Sequence, residues 1–294
     1  MRIAESELII NSDGSVFHLH MLPEQLADTV IVVGDRSRVD MIKKYFTGIE
    51  YETTSREFHS FTGMYNGKRM TVLSTGIGIG NIDIVMNELD ALANIDFKTR
   101  EIKPEHRTLT IMRIGTCGAI QPDVPIGSYI FSKYSLGTDG LISWYAGRDD
   151  VTEVEMEKAL MEHIHIPEGV DPRYIGLPYI AKASEKLTEL FKDCTVQGIT
   201  VAAPGFYGPQ GRALRIPLAL PDMVDEFESF RYNGERIMNF EMESSAIAAM
   251  GRHLGHECST VCCAIAHRHH KASNPDYKPM VEGLIKLVLD RLSK

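Results

Sequence analysis

Along the chain, apolar runs of strand length alternate with segments whose apolar residues recur at the period of a helix. This alternation is typical of an α/β fold with a largely parallel sheet. Because no Gly/Ser-rich linker and no internal repeat interrupts it, we expect a single domain over residues 1–294. The pattern predicts strands at 29–33, 70–73, 109–114, 129–131, 196–203 and 260–266, and helices after Ser37, after Gly80 and at 153–164, 178–192, 221–230, 242–254 and 278–292.

Charge and cysteine content narrow the class of protein. The 40 acidic residues against 31 Lys and Arg give a net charge of −9, which argues against a general binder of nucleic acids or membrane surfaces, because both are polyanions. The cysteine count of 5 is odd and includes no Cys-x-x-Cys pair, so free thiols in a reducing compartment are expected. No signal-peptide core opens the chain and no stretch approaches 18 apolar residues, which predicts a cytoplasmic protein without a membrane span.

Ligands of such sheets bind beyond the carboxyl ends of the strands, so polar residues directly after strands are the first candidates for a site. Gly34 to Arg38 follows a buried strand and opens a helix, a pattern that suits a phosphate cradle as well as a plain turn with solvated arginines. Arg113 ends an apolar strand, where an unpaired charge is costly, so it requires either an anionic ligand or an internal salt bridge. Thr116 adds a hydroxyl at the same place.

Three further motifs leave more than one interpretation open. Glu241 and Glu243 stand two residues apart at a helix start, where they either grip a sugar diol or favour the helix dipole. The glycines of 74–80 follow Gly-x-Gly-x-Gly spacing, which departs from a dinucleotide fingerprint and indicates close backbone packing or ligand approach. The histidines of 267–270 lack a carboxylate or cysteine at metal spacing, so we expect a post-strand loop with partly exposed histidines.

Seven motifs occur in one order along the chain and are more specific together than any of them alone. They are Val16-Phe17-His18-Leu19, Gly34-Asp35-x-x-Arg38, Ser55-Arg56-Glu57-Phe58, Ser74-Thr75-Gly76-Ile77-Gly78, Arg113-Ile114-Gly115-Thr116-x-Gly118-Ala119-Ile120-Gln121-Pro122, Phe206-Tyr207-x-x-Gln210-x-Arg212 and Asn239-Phe240-Glu241-Met242-Glu243-Ser244. On these residues the chain resembles the nucleoside phosphorylase-I family, and within it the members that act on uridine. The resemblance covers about residues 13–292 and is weakest between about 140 and 195.

This resemblance implies a single α/β domain whose central mixed β-sheet partly closes into a barrel and is flanked by helices. It implies a pentosyltransferase of nucleoside salvage that cleaves a pyrimidine nucleoside with phosphate as co-substrate, giving uracil and ribose 1-phosphate from uridine, with no cofactor. It also implies that residues 1–20 form an arm that reaches a neighbouring subunit. A homodimer is therefore the smallest active unit, and family members that assemble into hexamers leave the larger assembly open.

The same resemblance assigns roles to individual residues. Phosphate would be held by Gly34, Arg38, Arg113 and Thr116, joined by Arg56 from the neighbouring subunit. Ribose would be held by Met242, Glu243 and Thr116, with His18 of the neighbour near the 5′-hydroxyl. The base would be read by Gln210 and Arg212 between apolar walls from Phe206, Ile265 and the neighbour's Phe17, while Arg268 would steady the Gln210 loop. We expect catalysis to depend on Arg113, Thr116, Gln210 and Arg212.

Glu57 and Ser74 resemble residues that hold a monovalent cation, potassium, at the dimer interface of related enzymes. Purine-specific relatives carry an aspartate after the last core strand, where Ala266-His267-Arg268 stands in this chain. A purine nucleoside phosphorylase is one alternative, and a nucleosidase of the same fold that uses water is another, although such nucleosidases usually lack the phosphate-binding arginines. A nucleoside-binding module without catalysis is the third.

Overall fold

Strands with buried apolar side chains occupy the centre of the molecule. The computed structural model describes residues 2–171 and 177–294. The strands are β1 (Thr29–Val33), β2 (Thr47–Ser55), β3 (Phe58–Tyr65), β4 (Lys68–Ser74), β5 (Ile95–Asp96), β6 (Glu101–Ile102), β7 (Thr110–Ala119), β8 (Tyr129–Gly137), β9 (Tyr179–Lys182), β10 (Val196–Ala202), β11 (Arg231–Tyr232), β12 (Glu235–Glu241), β13 (Glu257–His267) and β14 (Ala272–Ser273). The helices are α1 (Arg36–Lys43), α2 (Ile79–Asn94), α3 (Arg148–Val151), α4 (Val154–His163), α5 (Glu185–Phe191), α6 (Met223–Ser229), α7 (Ser244–His253) and α8 (Lys278–Leu292).

Most strands of the described residues pair into one mixed sheet, with the order β11-β12-β10-β8-β13-β7-β1-β4-β3-β2 and with β9 on β8 and β14 on β13. Strand β12 also pairs antiparallel with β7, through Asn239–Ala119 and Phe240–Gly118, so β7, β13, β8, β10 and β12 close into a barrel. Strand β1 pairs in parallel with both β4 and β7, and β7 pairs in parallel with β13. The fold class that the motifs implied is therefore confirmed.

Apolar layers cover both faces of the sheet around β1. Val30 and Val32 belong to the layer that holds α2 and α7, whereas Ile31 and Val33 belong to the layer that holds α1, α5 and α8. Successive side chains of a strand point to opposite faces, so a strand covered on both faces is apolar throughout. For this reason β1 has the bounds that its sequence predicts, and α8 spans the predicted 278–292 with its apolar face buried.

The predicted helix at 178–192 is wrong in its first half. Tyr179–Lys182 is strand β9, which pairs antiparallel with β8, and α5 begins at Glu185 after Ser184, whose side chain accepts a hydrogen bond from the Leu187 amide. A short apolar run suits a strand and a buried helical turn equally well, so the pairing with β8 decides between them. The strand predicted at 129–131 extends to Gly137, and this extension supplies the edge for β9.

The apolar pattern also misses β2, β3 and β12. Strand β2 is exposed along most of its length and therefore lacks the apolar alternation of a half-buried strand. Strand β12 carries Glu235 and Arg236 at one end and Glu241 at the other, and barrel closure buries its middle and its last residue. In the described residues no helix is both long and apolar enough to cross a membrane. The five cysteines are free thiols.

The N-terminal segment packs against its own chain. Leu8, Val16 and Leu19 belong to the core layer of α2 and α7, and the Arg100 guanidinium donates hydrogen bonds to the carbonyls of Ile3 and Ala4. Met1, the first residue of the predicted arm, lies outside the described residues. The reach of residues 1–20 to a neighbouring subunit stays a prediction.

Candidate active site

A cavity of about 900 Å³ opens where the carboxyl ends of β1, β4, β7 and β12 meet. This is the edge at which ligands of open α/β sheets bind. The cavity brings together most of the residues that the motifs suggested: Gly34, Arg38, Glu57, Arg113, Thr116, Phe206, Gln210, Arg212, Met242, Glu243 and Ile265. The suggested residues that do not line it are Phe17, His18, Arg56, Ser74 and Arg268.

Arg38 is buried in the first turns of α1 although it carries a positive charge. Its Nη1 donates to the Ile114 carbonyl at 3.1 Å, and no carboxylate within the described residues forms an ion pair with it. Burial lowers the pKa of the Arg38 guanidinium, and the charge of Arg113 lowers it further. The nearby charge of Asp35 offsets this only in part. A buried cation without an ion-paired carboxylate is costly, so this part of the cavity suits a bound anion.

The expectation that Arg113 ends its strand is wrong, because β7 continues to Ala119 and Arg113 is its fourth residue. Arg113 lies between two glutamates. Its Nη1 is 3.0 Å from Glu241 Oε2, and its Nη2 donates to Glu243 Oε2. The internal salt bridge that the sequence left open as one alternative is therefore present. The Arg113 Nε has no hydrogen-bond partner in the described part of the chain, and the residue still lines the cavity.

The loop of 74–80 holds the other oxygen of Glu243. The Gly78 amide donates to Glu243 Oε1 at 2.6 Å. Gly78 has a φ of +97°, a conformation that favours glycine, and this conformation turns its N–H toward the carboxylate. The glycine spacing of this loop therefore serves the carboxylate of the site, and the loop then leads into α2.

Glu241 received no role from the family resemblance, and the sequence suggested for it only a sugar contact or a helix-dipole effect together with Glu243. Its carboxylate accepts hydrogen bonds from the amides of Glu243 and Ser244, both at 2.9 Å, and from the Ser244 hydroxyl at 2.6 Å. It therefore both caps the start of α7 and pairs with Arg113. The signal that could have found it is the Glu-x-Glu pattern itself, since an arginine that has to be paired stands in the neighbouring strand β7.

The charges of this cluster shift the pKa values of Arg113 and Glu243. Burial alone would lower the pKa of Arg113, but the charges of Glu243 and Glu241 raise it above its usual range. Burial raises the pKa of Glu243, while Arg113 opposes the shift and Glu241 adds to it. Two carboxylates share one guanidinium, so Glu243 takes up a proton at a higher pH than an exposed glutamate does.

Gln210, Arg212 and Phe206 form a further group in the cavity, with Arg212 close to Gly118 of β7. The Arg212 guanidinium lies 3.9 Å from the centre of the Phe206 ring, and its Nη1 donates to Gln210 Oε1 at 2.6 Å. Behind them, Arg268 Nη2 donates to the carbonyls of Gln210 and Gly211 at 3.1 and 3.2 Å. Burial, together with the charge of Arg268, lowers the pKa of Arg212 to about 10, so Arg212 stays protonated at neutral pH.

His267 does not belong to an exposed histidine loop, and the expectation is wrong for this residue. It ends β13 and is buried, with Nε2 3.1 Å from the Gln121 carbonyl and Nδ1 accepting from the His270 amide at 3.2 Å. Burial and the charge of His270 lower the pKa of His267. His269 and His270 are exposed as expected. Strand β13 extends further than the apolar run suggests, because β14 pairs with its last residues.

Phe17, His18 and Arg56 form a second group, outside the cavity of their own chain. The Phe17 and His18 rings lie 4.8 Å apart, and the Arg56 guanidinium is 5.7 Å from the Phe17 ring. Glu88, which sequence reasoning missed, accepts from the amides of His18 and Leu19 and contacts His18 Nδ1 at 2.6 Å. No local motif marks Glu88, because it lies within a regular stretch of α2 and meets His18 only in the folded chain.

The residues suggested for a monovalent cation fit that role only in part. The Ser74 hydroxyl is buried, donates to the Glu57 carbonyl at 2.8 Å and accepts from the His59 amide at 2.8 Å. The Glu57 side chain lines the cavity. A cation at this place therefore stays a prediction, and no chemical step is assigned to it.

Asp90, His106 and His256 also lie close enough together to contact one metal ion. The His256 Nδ1, however, accepts a hydrogen bond from the Leu109 amide at 3.2 Å, so the ring carries its proton on Nε2, the nitrogen that faces Asp90. A metal ligand needs a free electron pair on that nitrogen. The hydrogen bonding of this cluster is thus that of a structural group.

A methyl group at Gly115 tests the packing of Arg113. A Cβ there would lie 2.2 Å from Arg113 Nη1 and 2.7 Å from Cys262 Sγ, and neither atom is free to move in this buried cluster. We expect Gly115→Ala to cost about 2 kcal/mol or more in the free energy of unfolding, measured by chemical denaturation. The control is Gly80→Ala in α2, where a Cβ meets no atom within 4 Å, and which should stabilise by about 0.5–1 kcal/mol. Equal effects of the two substitutions would contradict the packing described.

Comparison with known proteins agrees with the fold. A family model described as the phosphorylase superfamily matches residues 28–285. The uridine phosphorylase of Haemophilus influenzae is 30% identical over 266 residues, which cover 86% of this chain and 86% of that protein. A DeoD-type purine nucleoside phosphorylase of Tolumonas auensis is 24% identical over 277 residues, 93% of this chain and 96% of that protein.

Among solved structures, a nucleoside phosphorylase of Trypanosoma brucei that shows uridine phosphorylase activity matches with a TM-score of 0.85 and 29% identity. The match covers 97% of this chain and 99% of that one. The resemblance to the nucleoside phosphorylases, which was inferred from the order of seven motifs, is thereby confirmed. With its barrel-closed mixed sheet and with a family match over residues 28–285, the chain belongs to the phosphorylase superfamily.

Proposed function

We propose that the chain is a uridine phosphorylase, which converts uridine and phosphate into uracil and ribose 1-phosphate. The observation that carries this proposal is the set of groups that line one cavity: a buried arginine without an ion-paired carboxylate, a buried glutamate, and an amide next to a guanidinium. Similarity to proteins named uridine phosphorylase, at 28% and 30% identity, supports the choice of base.

The phosphate would bind at the Arg38 end of the cavity. Arg38 has no carboxylate partner within the described residues, and the start of α1 with Gly34 lines the same place. Charge-assisted hydrogen bonds from a buried guanidinium to phosphate are each worth about 1.5–3 kcal/mol. Arg113 contributes its charge and, by holding Glu243, sets the distance between phosphate and sugar.

The ribose would lie between the phosphate and the base, next to Glu243 and Met242, with Thr116 at the boundary. Cleavage of a glycosidic bond passes through an oxocarbenium-like transition state, in which positive charge develops on the sugar. A phosphate dianion below the sugar and the carboxylate of Glu243 beside it both stabilise that charge. Phosphate itself is the nucleophile, so no covalent enzyme intermediate is needed.

The uracil would meet Gln210 and Arg212. Gln210 is buried, and its Nε2 has no partner in the part of the chain that the structure describes, so it is free to donate to a uracil carbonyl. Arg212 is protonated at neutral pH and stabilises the negative charge that develops on the leaving base. Phe206 and Ile265 supply apolar walls, and Arg268 holds the Gln210 loop from behind.

The purine alternative finds less support in the site. Protonation of a purine at N7 needs an acid after the last core strand, and His267 stands near that place. Both ring nitrogens of His267 face backbone groups, the Gln121 carbonyl and the His270 amide, so the ring has no proton to offer to a base in the cavity. The nucleosidase alternative is disfavoured because Arg38, Arg56 and Arg113 are all present.

We also propose that two chains complete each site. Phe17, His18 and Arg56 lie together outside the cavity of their own chain, although the resemblance assigns them to base, ribose and phosphate. Their position outside their own cavity and their assigned roles agree if Phe17, His18 and Arg56 enter the cavity of a second copy of the chain. A two-fold symmetric dimer then holds two sites, and each site takes Arg38 from one chain and Arg56 from the other.

A product assay on uridine, 2′-deoxyuridine, thymidine and inosine, with and without phosphate, tests the proposed reaction. We expect uracil to be released from uridine only when phosphate is present, because phosphate is the nucleophile. Turnover of inosine but not of uridine would indicate the purine reaction, and release of base without phosphate would indicate a nucleosidase.

Removal of the Arg38 side chain should weaken phosphate binding selectively. We expect Arg38→Ala to raise the KM for phosphate about tenfold to a hundredfold, which corresponds to about 1.5–3 kcal/mol, with a smaller change in the KM for uridine. Steady-state kinetics with each substrate varied in turn provide the measurement. Arg236→Ala is the control, because it removes a surface arginine that pairs with Asp123 far from the carboxyl end of β12. A phosphate KM that stays at the wild-type value would reject the anion site.

Subunit mixing tests the shared site. At a phosphate concentration near the wild-type KM, Arg38→Ala and Arg56→Ala should each abolish most of the activity as homodimers. After joint unfolding and refolding of an equal mixture, half of the dimers are mixed and each holds one intact site, so activity should return to roughly a quarter of the wild-type value. No recovery, in a mixture shown to contain mixed dimers, would mean that Arg56 acts in its own chain or not at all.

A further inference from the structure

We propose that Asp139 is a positioning residue, which acts through Ser245 and Tyr179 to fix the first turn of α7 and thereby the orientation of Glu243. The inference rests on the proposed function, in which Glu243 holds the ribose. Asp139 follows the carboxyl end of β8, does not line the cavity, and belongs to none of the seven motifs.

The Asp139 carboxylate accepts hydrogen bonds from three parts of the chain. Its Oδ1 accepts from the Leu141 amide at 2.8 Å and from the Tyr179 hydroxyl at 3.0 Å, and its Oδ2 accepts from the Ser245 hydroxyl at 3.1 Å. The hydroxyls of Tyr179 and Ser245 are themselves 3.1 Å apart, and both residues are fully buried. The three side chains therefore form a closed ring of contacts that joins the end of β8 to β9 and α7.

This ring acts directly on the segment that carries Glu243. Glu243 is the N-cap of α7, and Ser244 and Ser245 are the first two residues of the helix. Glu241 accepts from both the amide and the hydroxyl of Ser244, so each of the first two helical residues is attached to a carboxylate from a different strand end, buried in Glu241 and partly buried in Asp139. The two residues that follow Glu243 are thus fixed by hydrogen bonds, and they fix the backbone of Glu243 in turn. We infer that its side chain therefore reaches the cavity in one orientation.

The ring of contacts needs a glycine at the end of β8, and it desolvates the Asp139 carboxylate. A Cβ at Gly137 would lie 2.4 Å from the Tyr179 ring and 2.8 Å from Asp139 Oδ2, so the last residue of β8 has to lack a side chain. Burial raises the pKa of Asp139, while hydrogen bonds from the Leu141 amide, Tyr179 and Ser245 lower it. A buried carboxylate is retained only where such hydrogen bonds offset its desolvation.

The first test is hydrogen exchange in the protein without substrate. Asp139→Asn and Ser245→Ala each remove part of the ring, and Tyr179→Phe removes its third member if either of the others fails to fold. The Glu243 and Ser244 amides, both bonded to Glu241, should exchange about tenfold faster in the variants. The matched control is Ser259→Ala, which removes a buried serine hydroxyl on β13 that bonds to the Ser132 carbonyl and to no group of α7. An exchange rate equal to that of the control overturns the proposal, whatever the activity of the protein.

The second test separates positioning from general stability. In variants that fold, the KM for uridine should rise about tenfold while the KM for phosphate stays within about twofold, because only the sugar contact is disturbed. A loss of thermal stability with both KM values unchanged would show that the ring is merely structural, and would overturn the proposal. If the wild-type protein cleaves no nucleoside with phosphate, the proposed function fails, and the exchange measurement still decides whether Asp139 holds Glu243.

Discussion

The buried ion cluster of Arg113, Glu241 and Glu243 is the interaction on which the rest of the site depends. Its three side chains come from the first half of β7, the end of β12 and the start of α7, so it forms only when β12 closes the barrel against β7. Removal of one partner from such a cluster leaves an uncompensated buried charge, which costs about 3–5 kcal/mol. The cluster therefore ties the closure of the barrel to the geometry of the cavity.

Several local features of the chain follow from this cluster. Gly115 has no side chain because the Arg113 guanidinium lies where a Cβ would be, and Gly78 adopts a positive φ because its amide meets Glu243. The second carboxylate leaves the cluster with surplus negative charge, and the unpaired cation of Arg38 lies nearby at the same edge of the sheet. An anion held by Arg38 and a sugar held by Glu243 are thus brought side by side, which is the arrangement that transfer of a sugar to phosphate needs.

The sequence predicted the elements whose patterns are set by burial on both faces or by a long amphipathic stripe. Strand β1 and helix α8 have the bounds that were predicted, because a covered strand is apolar throughout and a docked helix repeats its apolar face over four turns. Strand β9 was predicted as helix, and β2 was not predicted, because a short run or an exposed strand takes its structure from its neighbour in the sheet. The phosphate, ribose and base residues of the cavity were suggested by motif order, although Arg113 and Thr116 lie within β7 and Ile265 lies within β13.

Taken alone, the sequence determined the fold class, the family and the residue types of the cavity, because these depend on local period and on motifs read in order. It also showed that Arg113 needed a negative partner, since a charge at the end of an apolar strand is too costly to leave unpaired. Only the tertiary structure decided that the partners are Glu241 and Glu243, that His267 is buried, and that Glu88 and Asp139 hold groups distant from them in sequence. These facts depend on which strand ends and helix starts meet in space, and no short stretch of sequence records that.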